Sequence, residues 1–243
     1  MLNAMIFAAG LGTRLMPLTQ NTPKAMVQVN GQPLLWYAIH NVIQAGATRI
    51  VVNVHHFAPQ IIAYLNELSF PGVEIMVSDE RDQLLETGGG LLKAKNLFVK
   101  DAPILIHNAD VLTNSNLTTL VNQHRTNGAL ATLMVQQRPT QRYLLFDCND
   151  ELCGWENLKT GERIITRDKD HLQQMAFNGI QMVDYRILEM LGGVRKFSIT
   201  RGYLDLSPDY AIRAWKDWQG QWFDIGTIEK LHEAIHEFKH NTQ

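Results

Sequence analysis

Between Asn3 and Thr126 the chain alternates short apolar runs with amphipathic ones, and this alternation limits its folds more than any other feature. Asn3 to Ala9, Arg49 to Val54, Val73 to Val77 and Pro103 to His107 read as strands. Leu34 to Ala45 places Leu34, Leu35, Ala38, Ile39, Val42 and Ala45 on one helical face, with Gly46 as its stop. Pro59 to Leu68 and Leu117 to Thr126 are further helical runs, the second with Asn116 as its expected cap. Strands that alternate with helices predict an α/β fold, a Rossmann-like, mostly parallel sheet with helices on both faces. Ligands of such sheets bind beyond the carboxyl ends of the strands. From Ala129 the pattern changes to ALATLMV, RYLLFD, LCGW and ERIITR, with little helix before Asp184. That predicts a small β-rich insert over about 129–183, a lid of hairpins, inside a single domain spanning 1–243.

The first strand empties into AAGLGTRLMPLTQNTPKAM, Ala8 to Met26. Gly10 and Gly12 let backbone approach a ligand and present N–H groups to anionic oxygens. Arg14 can fork onto two phosphate oxygens, Lys24 adds a compact charge, and Pro17 and Pro23 limit the loop's freedom. The P-loop is excluded because no Gly-Lys pair occurs in the chain. The dinucleotide fingerprint is excluded by Leu15 at its third small position and by Pro17 in its helix.

Elsewhere, Leu85 to Leu92 reads LETGGGLL, with Thr87 as the expected helix cap and a glycine run that is locally costly in a helix. A flexible loop is the plain alternative. Asp110 follows the strand PILIH, where a carboxylate can hold a hard divalent cation or simply cap the next helix. Asn116 is the better cap, which leaves Asp110 unengaged.

The spacing GxGTRLxPLTxxxPKxM resembles the opening of the sugar-1-phosphate nucleotidyltransferases, and ETGGG, NAD and WFDIGT extend that resemblance from Met5 to Leu231. The resemblance implies the nucleotide-diphospho-sugar transferase type of fold, and an enzyme that joins a nucleoside triphosphate to a sugar 1-phosphate with release of pyrophosphate. It implies Ala9, Gly10, Gly12, Thr13 and Arg14 on the nucleotide's phosphates, Lys24 near the reacting centre, and backbone of Gly88 and Gly89 at the base edge, with Glu86 or Gln83 nearby. It also implies Mg²⁺ on Asp110 and Asp224, and Asn178 and Gly179 on the sugar phosphate alongside Lys24. Where the family carries a Glu-Lys pair for the sugar phosphate this chain has no Glu-Lys-Pro, and Asn157-Leu158-Lys159 is the candidate in its place. The ETGGG segment is nearest to the N-acetylmuramate-1-phosphate uridylyltransferases of cell-wall recycling. Mannose-1-phosphate guanylyltransferase is the second expectation, and a catalytically silent nucleotide-sugar sensor, which could dispense with Arg14, Lys24 or an aspartate, is the third.

With 45% hydrophobic and 19% charged residues in 243 and a net charge of -2, no global field for nucleic acid or anionic membrane exists, and neither is an expected partner. No apolar run approaches the ~20 residues of a membrane span, and Met1 to Ala9 lacks the basic start of a signal peptide, so the cytoplasm is the expected address. Cys148 and Cys153 are expected as reduced thiols, with a disulfide or metal pair as the minor reading. His232, His236 and His240 are spaced for zinc but read as an exposed helical face, and His55-His56 is assigned no chemistry.

Overall fold

The structure, a computed structural model, describes residues 1–217 and 219–239. β1 (Asn3–Phe7) is followed by a small hairpin, β2 (Gln28–Val29) and β3 (Gln32–Pro33), then α1 (Leu34–Gln44) and β4 (Arg49–Val54). α2 (Ala58–Glu67), β5 (Glu74–Asp79), α3 (Glu86–Lys93) and β6 (Ile104–Asn108) complete the alternating half. As the alternation requires, β6, β1, β4 and β5 are neighbours and all parallel. Phe7 stands opposite both Asn53 and Asn108, so three strands end level and release their loops along one edge. Strand period sorts the core. Ala4 and Ile6 enter a cluster with Leu35, Ile39 and Ile61 of α1 and α2, while Met5 enters one with Leu91 and Leu92 of α3.

β7 (Val111–Thr113) precedes α4 (Leu117–Asn127), whose cap is Asn116 as expected: its Oδ1 accepts the Thr118 N–H at 3.1 Å. The four runs from Ala129 are β8 (Ala131–Gln136), β9 (Arg142–Phe146), β10 (Leu152–Asn157) and β11 (Glu162–Ile165), and β12 (Gln173–Val183) returns beside β6. They do not form a separate lid. β12 is 11 residues long, enough to pair antiparallel with β6 and β8 at one end and with β9 at the other, so the ribbon continues the central sheet. The result is one 10-stranded mixed sheet, in the path β11-β10-β9-β12-β6-β1-β4-β5 with β8 and β13 branching from β12.

α5 (Ile187–Met190), α6 (Ile199–Leu206), β13 (Ile212–Lys216), β14 (Trp222–Asp224) and α7 (Ile228–Glu237) finish the chain. A third cluster joins Leu15, Val27, Leu34 and Tyr37 to Leu112, Ile225, Leu231 and Phe238. This cluster ties the first loop to the WFDIGT segment from the far end of the sequence. His232 and His236 are exposed on α7, and His240 lies outside the described residues. Cys153 is buried and Cys148 exposed, both as free thiols. Among the described residues, no helix is long and apolar enough to cross a membrane.

Candidate active site

A cavity of about 380 Å³ opens at the level edge of β1, β4 and β6. Ala8, Ala9 and Gly10 form one wall, Leu84, Glu86 and Thr87 another, and Lys24 and Asp110 stand together at it. Gly12 is left-handed at φ +67°, and a Cβ there would lie 3.0 Å from Lys24 Cβ, so the loop folds tightly back on its own lysine. Thr13, Arg14 and Leu15 then make one 3₁₀ turn that buries Leu15 in the third cluster and leaves Arg14 exposed beside the cavity. Ala9, Gly10 and Lys24 therefore line the cavity, whereas Gly12, Thr13 and Arg14 lie outside its wall.

Asp110 is not the unengaged carboxylate that the sequence suggested. Its Oδ2 pairs with Lys24 Nζ, on side chains only 30% and 11% exposed, and an ammonium so enclosed requires a counter-charge. β14 pairs antiparallel with β7, placing Asp224 opposite Val111, and the Ile225 N–H donates to the Asp110 carbonyl at 2.9 Å. Two aspartates 114 positions apart in the chain thus meet at one edge. Asp224 is paired with Lys230 at 3.2 Å, and a Cβ on Gly226 would lie 3.2 Å from Arg14 Nη2 and 3.3 Å from Asp224 Oδ1, so the arginine is here too. Hard carboxylate oxygens on two converging loops fit Mg²⁺, which is held by one or two carboxylates plus substrate oxygens and water. Among the described residues no cluster of three or more His, Cys, Asp or Glu forms an all-protein cage.

The glycine run packs against a segment from later in the chain, and Thr87 is not its cap. Leu85 is at the cap position of α3, and Thr87 lies inside the helix, where its Oγ1 accepts the Ile199 N–H at 2.9 Å. The N–H groups of Gly88 and Gly89 both donate to the Phe197 carbonyl, at 2.9 and 3.4 Å. A Cβ on Gly88 would stand 2.4 Å from the Phe197 ring, and one on Gly89 2.1 Å from the Arg195 carbonyl. The glycines admit the segment before α6, and their donors are already used. The cavity wall is made instead by Leu84, Glu86, Thr87 and, from that incoming segment, Ser198. Glu86 is itself left-handed at φ +60°.

One buried pair joins the two walls. Glu80, 0% exposed, accepts from Asn53 Nδ2 at 2.7 Å and from the Leu85 N–H at 3.2 Å, while Asn53 Oδ1 accepts the Ala8 N–H at 2.8 Å. The loop after β1 and the turn before α3 both hang from this pair. Glu80→Gln turns one of two acceptors into a donor facing a donor, and is expected to cost about 2 kcal/mol of unfolding free energy in chemical denaturation. An unchanged midpoint would contradict it.

His107 sits beneath the site, fully buried, its Nδ1 2.9 Å from the Asn108 carbonyl and its Nε2 3.4 Å from Asn41 Nδ2. Burial lowers its pKa from 6.5 to about 4, and burial does the same to His124, which meets Thr132 Oγ1 at 2.9 Å. The unfolded chain takes up protons near 6.5 and the fold refuses them until about 4, so stability is lost as pH falls through that window. At pH 5 each histidine costs about 2 kcal/mol. Tm is expected to fall between pH 7.5 and 5, with about half of the slope removed in His124→Gln. A flat profile in the native sequence would refute the assignment.

On the β12 side, Gly179 is at φ +76° and faces Asn108, beside the Asp110 loop. The Asn178 carbonyl accepts from Trp222 Nε1 at 2.9 Å, and its buried Nδ2 has no acceptor among the described residues. Asn157 closes β10, half-buried, and Leu158 and Lys159 are exposed in the turn after it. Sequence reasoning missed Asn53, Ser198, Lys230 and Arg138. Asn53 had a signal, a polar residue interrupting the apolar run RIVVNV; the others come from segments with no motif.

The Nucleotidyl transferase family matches residues 3–151. The N-acetylmuramate alpha-1-phosphate uridylyltransferase of Caulobacter vibrioides is 43% identical over 109 residues, 44% of this chain and 45% of that protein. The mannose-1-phosphate guanylyltransferase catalytic subunit beta of Drosophila pseudoobscura pseudoobscura is 27% identical over 226 residues, 92% of this chain and 58% of that one. The matches thus span about half the length of these relatives. In structure, the UDP-glucose pyrophosphorylase from Acinetobacter baumannii superposes with a TM-score of 0.78 at 19% identity, covering 97% of this chain and 92% of that one, which shows a shared fold. With the family match over more than half its length, the chain belongs to the nucleotidyl transferase family.

Proposed function

We propose that the protein joins a nucleoside triphosphate to a sugar 1-phosphate, giving a nucleotide-sugar and pyrophosphate. The observation that carries the reading is the Lys24–Asp110 pair at a cavity walled by the glycine loop, with Asp224 and Arg14 brought to the adjoining edge by the pairing of β14 with β7. An oxygen of the sugar phosphate attacks the α-phosphorus, and the bond to the β-phosphate's bridging oxygen breaks, with pyrophosphate as the leaving group. The nucleophile is already anionic, so no general base is needed; the difficulty is holding two polyanions in line. Ala9 and Gly10 offer backbone to the triphosphate, with Gly12, Thr13 and Arg14 on its outer phosphates. Lys24, paired with Asp110 in the free protein, would be the ammonium that meets the phosphate oxygens near the reacting centre. Asp110 and Asp224 would hold Mg²⁺, which would supply neutralisation of the phosphate charge. Leu84, Glu86, Thr87 and Ser198 form the base end, and Gly88 and Gly89 act through the packing that shapes it. Asn178 and Gly179 face the sugar phosphate.

UTP with N-acetylmuramate 1-phosphate is the proposed pair, supported by the identity of the uridylyltransferase match, and peptidoglycan recycling in the cytoplasm is the proposed setting. GTP with mannose 1-phosphate is the second reading, favoured by the guanylyltransferase match along most of the chain. Pyrophosphate release in Mg²⁺, with UTP, GTP, CTP and dTTP each crossed against N-acetylmuramate, mannose, glucose and N-acetylglucosamine 1-phosphates, separates them. A dominant UTP and N-acetylmuramate signal is expected. Dominance of GTP with mannose would reassign the pair, and nucleotide binding without turnover by any pair would leave a sensor.

A further inference from the structure

We propose that Arg138 receives the anionic group of the sugar substrate, an inference that rests on the nucleotidyl-transfer reading. Arg138 follows β8 and is half-buried, yet among the described residues it makes no ion pair. It is fixed all the same. Its guanidinium carbon lies 3.9 Å over the Trp222 ring, Nη2 donates to the Phe177 carbonyl at 2.9 Å, and Nε approaches Asn178 Oδ1 at 3.4 Å. Nη1 is left without a protein acceptor among the described residues. A fork that has been partly desolvated and held rigid, with donors unspent, is prepared for a pair of anionic oxygens.

Its position identifies the anion. Trp222 and Asp224 are two apart on β14, so their side chains share a face, and the guanidinium stacked on Trp222 is on the Asp224 side. Burial lowers the pKa of Arg138 and the charge of Asp224 raises it, the mark of a cation that feels this carboxylate without touching it. On its other side Arg138 lines a second cavity of about 710 Å³ with Gln137, Tyr143, Gln173 and Gln174, amide and phenol groups suited to sugar hydroxyls. Beside it, the buried Asn178 Nδ2 also has a hydrogen to give. Arg138 therefore stands between the metal-side aspartate and a polar cavity apart from the one assigned to the nucleotide. The anionic oxygens can come from the phosphate ester that every sugar 1-phosphate carries, or from the carboxylate that an acidic sugar such as N-acetylmuramate adds.

Arg138→Gln and Arg138→Lys test this in steady-state turnover and in calorimetric titration of the sugar 1-phosphate with Mg²⁺ present, after Tm confirms a folded protein. In Arg138→Gln the sugar KM is expected to rise at least about tenfold, with the nucleotide KM within about twofold, and Arg138→Lys to recover only part of the loss. A rise with mannose 1-phosphate as well as N-acetylmuramate 1-phosphate assigns the phosphate; a rise confined to N-acetylmuramate assigns the carboxylate. Equal sugar KM and equal calorimetric affinity in Arg138→Gln would overturn the inference while leaving the transfer reading intact. No turnover by the native sequence, but sugar phosphate binding lost in Arg138→Gln, would overturn that reading and keep the inference. Absence of sugar phosphate binding by the native sequence would overturn both.

Discussion

Asp110→Asn is expected to lower kcat for nucleotide-sugar formation by about a thousandfold or more, with a lowered Tm in a protein that still folds cooperatively. The carboxylate lines the cavity proposed for the nucleotide, tied to Asp224 through the pairing of β7 with β14. Asparagine keeps the shape and still accepts a hydrogen bond from Lys24, while the enclosed ammonium loses its counter-charge, which lowers Tm without unfolding the protein. The proposed divalent cation loses one of its two charged donors, and with it the charge neutralisation that makes in-line attack between polyanions possible. The loss should appear in kcat more than in either KM, and raised Mg²⁺ should recover part of it. Undiminished turnover in this variant would remove Asp110 from the chemistry.

Lys24→Met is the second large effect, a fall of roughly a hundredfold to a thousandfold in kcat/KM. In the ligand-free protein Lys24 neutralises Asp110; in the proposed complex both charges serve substrate and cation instead. Because the two act as a unit, the double variant Lys24→Met with Asp110→Asn should be scarcely worse than the worse single change. Multiplicative losses would mean that the pair seen in the free protein does not work as one in turnover. Stability gives an independent check: removing Lys24 alone leaves a carboxylate that is 30% exposed, so only a small stability loss is expected.

The parallel half of the fold was legible because its elements announce themselves locally. RIVVNV can only be a buried strand bounded by turns, and Leu34 to Gln44 shows one apolar face and a glycine stop. Asn116 was legible as a cap for the same reason. α6 was not, because Gly202 lies inside it and weakens its propensity; the glycine is there since a Cβ would stand 2.5 Å from Leu191 Cδ2, a contact that only tertiary packing creates. The continuity of β8 to β12 with the main sheet was hidden likewise, since strand pairing is long-range and the sequence gives period without partner. In the site, Gly10, Lys24, Asp110 and Asp224 were legible as residue types at motif positions, and the structure brings them together. Gly88 and Gly89 carried the signal that bare backbone is required, and the packing of Phe197 and Arg195 against it is a long-range contact that lies outside any local pattern. The Lys24 ion pair and the stacking of Arg138 on Trp222 join residues roughly a third of the chain apart, which no local pattern encodes.

The central claim, that the phosphate of the sugar attacks the α-phosphorus of a triphosphate held in this cavity, is tested most directly by an oxygen label. The sugar 1-phosphate is prepared with ¹⁸O in its non-ester oxygens and turned over with the nucleotide and Mg²⁺, and the products are weighed by mass spectrometry. All of the label is expected in the nucleotide-sugar and none in pyrophosphate. Label in pyrophosphate or free phosphate, or pyrophosphate released without any sugar phosphate, would contradict the proposed transfer.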